Sequence, residues 1–360
     1  VHTYYMVKGF TEMRINTVLI VPHFAYPVKK LKENEFLDII PVEYPTLGHF
    51  PLSYAISEMI YSKRIWDILK EKNVIEKGDI AYSQGFTGMC APKKRHFFHI
   101  VHLHGINMFS DLLRDNMRYF HLRLLARRAF GRADAIILLG EKFRRYVESF
   151  SAMKFVIPYG IDDRWLLPAP SKKFEPPFKV VFAAKKSLLK GFNIFVEAMI
   201  EAIKRGYPVK AIVLGNYSIR DIVDSDGDMS IIKENFDFRG EITSHEVMKK
   251  IYDECHIHIT SSYSEGLPFT LMEAMSRGCV AISTDVGVVS ELIVNGENGI
   301  LVPVGDASAI AGALEKLIDN KELMEKLSKG AYETMRKRTT RDFEIPTLIN
   351  ELRKRDIFIL

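Results

Sequence analysis

The sequence predicts an α/β protein of two domains, each built on a parallel sheet. Short apolar runs of strand type alternate with helical patterns along the chain, and the length of 360 residues fits two domains. A proline-rich stretch, Leu166–Pro177, divides the chain near its middle and reads as an extended linker. Strand–helix alternation of this kind demands parallel strands joined by crossover helices. In the first half the strand patterns are Thr17–Val21, Phe97–Leu103, Ala135–Leu139 and Phe155–Ile157. The second half has Lys179–Ala183, Lys210–Leu214, Ile257–Thr260 and Val280–Ser283. Helical patterns lie between them, at Leu112–Phe130, Phe192–Lys204, His245–Tyr252 and Ala307–Ile318. The domains expected are therefore 1–165 and 166–341, with a helical tail at 342–360 that packs back on the first.

Composition narrows the class. Hydrophobic residues make up 47% and charged residues 26%, which is globular, and the net charge of +5 is too mild to call for nucleic acid. There is no apolar run of about 20 residues, the length a membrane-spanning helix needs. The first ten residues lack the apolar core of a signal peptide, so a cytoplasmic location is expected. Cys90, Cys255 and Cys279 are scattered, with no metal-ligand spacing, so no metal site is expected. His256 and His258 fall on one face of a strand and read as neutral, hydrogen-bonded strand histidines in preference to a metal pair. Gln84 is the only glutamine beside 50 Lys and Arg and 45 Asp and Glu, a balance that fits a thermophile.

The most informative stretch is Ser261–Gly278, SSYSEGLPFTLMEAMSRG. Glu265 and Glu273 stand eight apart, separated by the turn Gly266-Leu267-Pro268-Phe269 and the start of an apolar-periodic helix. An apolar strand precedes them. A strand, a glycine turn and a helix start aim backbone N–H groups and the positive end of a helix dipole at an anion. One carboxylate can then reach sugar hydroxyls and the other a ribose.

This string resembles the E-x7-E motif of the family 4 retaining nucleotide-sugar glycosyltransferases, and the resemblance extends from about Asp79 to Pro303. It implies the GT-B fold, two Rossmann-like domains facing across a cleft, with the acceptor on the first and the donor on the second. In Val180–Gly191, VVFAAKKSLLKG, Lys185 stands where the family has Arg, and Lys190 takes the family's Lys place. The resemblance gives these two cations the donor diphosphate, together with the turn Gly266, Leu267, Pro268 and Phe269, whose N–H groups, Pro268 having none, face the anion. A lysine at the first place offers a point charge where arginine offers a planar fork. Glu273 is implied to hold the ribose, Glu265 to bind the donor sugar near the reacting carbon, and Arg239 to lie beside the base. Catalytic roles therefore fall to Glu265, His104 and Lys190.

In the first half, IVHLHG resembles the family strand that ends in His-Gly, so His104 is the candidate for contact with the sugar and His102 lies one step deeper. Gln84 stands where the family usually has histidine; an amide can hydrogen-bond a hydroxyl but cannot take its proton. His23 is a further candidate on the acceptor side. No cofactor and no metal are implied, since the donor is itself a substrate. The stretch 112–132 carries six arginines on an amphipathic pattern, which suits peripheral contact with an anionic membrane surface and a glycan or lipid-linked acceptor. A catalytically inactive nucleotide-sugar-binding protein and a sugar-nucleotide epimerase remain open as alternatives.

Overall fold

The computed structural model describes residues 2–22, 35–45, 47, 53–102, 120–222 and 229–357. The chain divides into two compact units, 1–160 with 340–360, and 161–339. In the first unit, α1 (His2–Glu12) leads to β1 (Thr17–Pro22), which pairs in parallel with β2 (Leu37–Val42). After α2 (Ser53–Glu71), a second parallel sheet runs β3 (Ile80–Gln84), β4 (Phe98–His102), β5 (Ala135–Leu138) and β6 (Met153–Val156), in that order. The helix α3 (Phe120–Phe130) precedes β5. All four residues of β5, AIIL, are buried, as a strand covered on both faces requires. The helix Ile345–Arg353 places Ile345, Leu348, Ile349 and Leu352 in the same core as Met6, Ile100, Ile137 and Phe155. At roughly 2 kcal/mol for each buried aliphatic side chain, this tail is an integral part of the first unit.

The second unit holds β7 (Phe178–Ala183), α4 (Phe192–Lys204), β8 (Val209–Leu214), α5 (Met229–Asn235), β9 (Phe236–Gly240), α6 (His245–Glu254) and β10 (Ile257–Thr260). It continues with α7 (Phe269–Ser276), β11 (Val280–Thr284), β12 (Gly299–Val302), α8 (Ala307–Ile318) and α9 (Lys321–Arg336). The six strands form one parallel sheet in the order β12-β11-β10-β7-β8-β9. From β7 the chain winds outward to β9, then returns to the other side of β7 and winds outward again to β12. The strand order therefore reverses between β7 and β10, paired at Val180 and Ile257. In open α/β sheets this switch point is where loops diverge and ligands bind.

The proline-rich stretch lies inside the second unit. Phe174 enters its core, and the Lys172 ammonium caps the end of α6 by donating to the Tyr252 carbonyl at 2.7 Å. Arg277, 1% exposed, pairs with Asp253 at 2.7 Å and donates to the carbonyls of Trp165 and Pro168 at 2.8 Å. No described helix is long and apolar enough to cross a membrane.

Candidate active site

The loops that leave β7 and β10 at the switch point are stitched together by backbone. Gly191 has φ +63°, and a Cβ there would lie 2.0 Å from the Ser261 carbonyl oxygen, so only glycine fits. Across that contact the Ser261 hydroxyl donates to the Gly191 carbonyl at 2.8 Å, and the Tyr263 amide donates to the Leu189 carbonyl at 2.8 Å. This stitching brings Lys190 Nζ to 2.5 Å from Glu265 Oε1, although 75 residues separate them in sequence. The Ser262 hydroxyl donates to the same oxygen at 2.8 Å. The pair is largely withdrawn from solvent, with side chains 28% and 13% exposed, so Coulomb attraction is screened less than at a surface.

A third loop props up the turn. The Val288 amide donates to the Gly266 carbonyl at 3.0 Å. Gly287 has φ +56°, and a Cβ there would lie 2.3 Å from the Glu265 carbonyl oxygen. The turn delivers the chain into α7, which begins at Phe269 with Pro268 as a cap that has no side-chain donor or acceptor to offer. Among the described residues the amides of Gly266, Leu267, Thr270 and Leu271 have no protein acceptor, which leaves a row of donors beside the positive end of the α7 dipole.

Lys185 is exposed and has no carboxylate partner among the described residues. Its neighbour Lys186 is engaged by Asp221. Glu273 lies on α7 and is 7% exposed. Burial pushes its pKa up to about 8. Arg239 is held by Asp237 at 2.7 Å and reaches Glu254 at 3.5 Å. Cations, amide donors and two carboxylates thus share one edge of the sheet, a set suited to a diphosphate flanked by hydroxyl-bearing rings. No group of three or more His, Cys, Asp or Glu among the described residues could hold a metal ion.

In the first unit His102 ends β4 fully buried, with Nδ1 2.5 Å from the Tyr82 hydroxyl. The Gln84 amide oxygen accepts from the Thr3 hydroxyl. His104 and His23 lie outside the described residues. Sequence reading did not single out His2 and Glu344, which meet at 2.5 Å in a fully buried position. The second Glu344 oxygen accepts from the Gly160 amide at 2.7 Å, and the His2 ring lies 5.1 Å from that of His102. Ser262 went unnoticed as a support, while Gly191 and Gly287 were visible only as glycines at the ends of strand patterns.

Residues 163–334 match the family model described as glycosyl transferases group 1. An uncharacterized glycosyltransferase of Methanocaldococcus jannaschii is 26% identical over 324 residues, covering 85% of this chain and 82% of that protein. Among solved structures, a sucrose-phosphate synthase from Thermosynechococcus elongatus superposes with TM-score 0.74 at 15% identity, covering 98% of this chain and 92% of that one. HepE of Anabaena, in complex with UDP and glucose, superposes with TM-score 0.68 at 15% identity, covering 99% and 95%. Residues 163–334 are thus similar to the glycosyl transferases group 1, and the chain has the fold class of the GT-B glycosyltransferases.

Proposed function

We propose that the chain is a retaining, metal-independent glycosyltransferase that moves a sugar from a nucleotide-diphosphate sugar to an acceptor hydroxyl. The observation that carries this reading is the Lys190–Glu265 pair at the switch point, beside the unfilled amide donors of the α7 start. The diphosphate rests on Lys185, Lys190 and those amides, which neutralise the charge that grows on the leaving group as the glycosidic bond breaks. Lysines and a helix end perform the neutralising task a metal performs elsewhere, so neither a metal nor a cofactor is required. Glu265 accepts hydrogen bonds from the donor sugar, Glu273 accepts them from the ribose, and His104 contacts the sugar from the first unit. The acceptor oxygen bonds to the anomeric carbon from the side the phosphate leaves, and its proton passes to a β-phosphate oxygen, so configuration is retained. The UDP and glucose held by HepE favour a uridine donor.

The acceptor is a glycan or a lipid-linked glycan. Lipid contact is favoured by α3, where Phe120 is 47% and Leu124 50% exposed beside exposed Arg127 and Arg128. Co-sedimentation with phosphatidylglycerol vesicles at low salt is the expected result; no sedimentation removes the membrane from the proposal. A non-catalytic nucleotide-sugar binder is the second reading, favoured by Gln84, whose amide is engaged by Thr3 and can take no proton.

Thermal-shift titration with UDP, GDP and ADP, on the wild type and on Glu273→Ala, tests the donor site. One base should raise Tm in the wild type and lose its effect in the variant. No shift with any nucleotide overturns the reading. Turnover of the matching sugar nucleotide in EDTA, with the anomeric configuration of the product read by NMR, then separates transferase from binder.

A further inference from the structure

The sheet face beneath α6 and α7 carries two polar side chains of β10 among apolar neighbours: His258 pairs with Val181 on one side and Ala281 on the other. Along β10, Ile257 and Ile259 enter the apolar core, while His258 and Thr260 alternate to the opposite face. His258 is 1% exposed, and among the described residues no group hydrogen-bonds to either ring nitrogen. This corrects the expectation of two satisfied strand histidines. His256 is satisfied, accepting from the Lys179 amide at 2.9 Å and lying 3.0 Å from the Lys173 carbonyl, but His258 is not. The Tyr252 hydroxyl on α6 and the Thr260 hydroxyl are also buried without a partner, and the Tyr252 ring lies 6.2 Å from that of His258. Glu273 descends from α7, which packs on β10, and its charge is felt at Tyr252.

Each orphan polar atom in an interior costs about 1–3 kcal/mol, and native proteins bridge such atoms with ordered water that makes about three hydrogen bonds. Burial holds His258 neutral, with its pKa lowered to about 3, so the ring offers one donor and one acceptor. Two hydroxyls and one imidazole without protein partners thus lie beneath α6 and α7, and α7 carries Glu273.

We propose that Tyr252, His258 and Thr260 are positioning residues for Glu273: through ordered water they supply the hydrogen bonds that hold its carboxylate toward the ribose of the donor. The proposal rests on the donor-site reading above. At pH 9, where the Glu273 carboxyl is ionised, a hydrogen bond to the charged group makes a well-held Glu273 prefer a ribonucleotide to its 2′-deoxy counterpart by about tenfold or more, and affinities are compared at that pH.

The test measures affinity by calorimetry for UDP, GDP and ADP and for their 2′-deoxy forms, alongside Tm. Expected for His258→Leu and for Tyr252→Phe is a ribose preference reduced to about threefold or less, with Tm unchanged or raised, because each variant removes a buried polar group that no protein atom satisfies. His258→Asn, which keeps a donor and an acceptor, should retain most of the preference. A merely structural role predicts the reverse, a lower Tm with the preference intact, and that result overturns the proposal. Tyr252→Phe removes one oxygen only, so it decides the matter if His258→Leu does not fold. Wild type that binds a ribonucleotide without preferring it, or Glu273→Ala that keeps the preference, overturns the ribose role of Glu273 itself.

Discussion

Glu273→Gln should stabilise the second unit, and increasingly so as pH rises. In the folded protein the Glu273 carboxyl is buried and its pKa stands at about 8, against an ordinary value of 4.5. The folded state therefore holds a proton that the unfolded chain has lost, over the whole interval between those values. Stability rises with pH only where the unfolded state binds more protons; here it binds fewer, so this group's contribution falls as pH rises through that window. The slope is about 1.4 kcal/mol per pH unit, and across the full interval the loss is on the order of 5 kcal/mol. Glutamine keeps the shape and removes the titration, while every other group is common to both proteins. The difference between variant and wild type should thus grow by a few kcal/mol from pH 5.5 to 7.5. At roughly 2–4 °C per kcal/mol for a unit of this size, that is on the order of 10 °C in Tm. Differential scanning calorimetry of both proteins from pH 5 to 9 at fixed ionic strength reads it directly. Parallel curves, with a difference that does not change with pH, would refute the reasoning and place the Glu273 carboxyl in a solvated setting.

The same proton links to the ligand. If ribose hydroxyls donate to the ionised carboxylate, donor affinity should rise about tenfold between pH 7 and pH 9 in the wild type and stay level in Glu273→Gln, as measured by titration calorimetry. Lys190→Met should lower turnover by about 10²–10³-fold, the usual loss on removing one stabiliser of developing charge. Because the Lys190–Glu265 pair is partly exposed, the same variant should change stability by less than about 1 kcal/mol; a kcat within threefold of wild type would refute the catalytic role. Gly191→Ala should cost about 2–3 kcal/mol, since it combines a positive φ with a Cβ placed 2.0 Å from the Ser261 carbonyl, and an unchanged Tm would contradict the stitched loops.

Chemistry carried by a contiguous string was legible in the sequence, and chemistry assembled across the sheet was not. Glu265, the turn and Glu273 follow one another along the chain, so spacing alone placed them on a strand end and a helix. Alternation of strand and helix revealed parallel sheets but could not give the order β12-β11-β10-β7-β8-β9, and only that order sets Lys190 against Glu265. Gly191 was visible as a glycine, but the reason for it, a carbonyl contributed by another loop, was not. The period of β10 assigned His258 to a face, and nothing in that period told whether a partner waits there. The basic helix shows the same limit. Ala126, Ala129 and Phe130 face inward while Phe120 and Leu124 are exposed, and Arg128, expected to face away from the core, donates to the Met89 carbonyl at 3.1 Å.

The site also explains its own cost. An apolar residue at position 273 would suit the surrounding burial better than a carboxylate does, and by the reasoning above it would make the unit more stable at neutral pH. The polar atoms of Tyr252, His258 and Thr260 on the same face add to that burden, each buried without a protein partner. These three groups and the Glu273 carboxyl all belong to β10 and to the helices beside it, while Ile257 and Ile259 on the other face of β10 join an apolar core. Local rules are broken together where function needs a group that folding does not want. On the proposed function, Lys190 and Glu265 answer a different need: they neutralise each other until a diphosphate arrives, and so keep a cation and a carboxylate poised at the switch point without leaving either charge uncompensated.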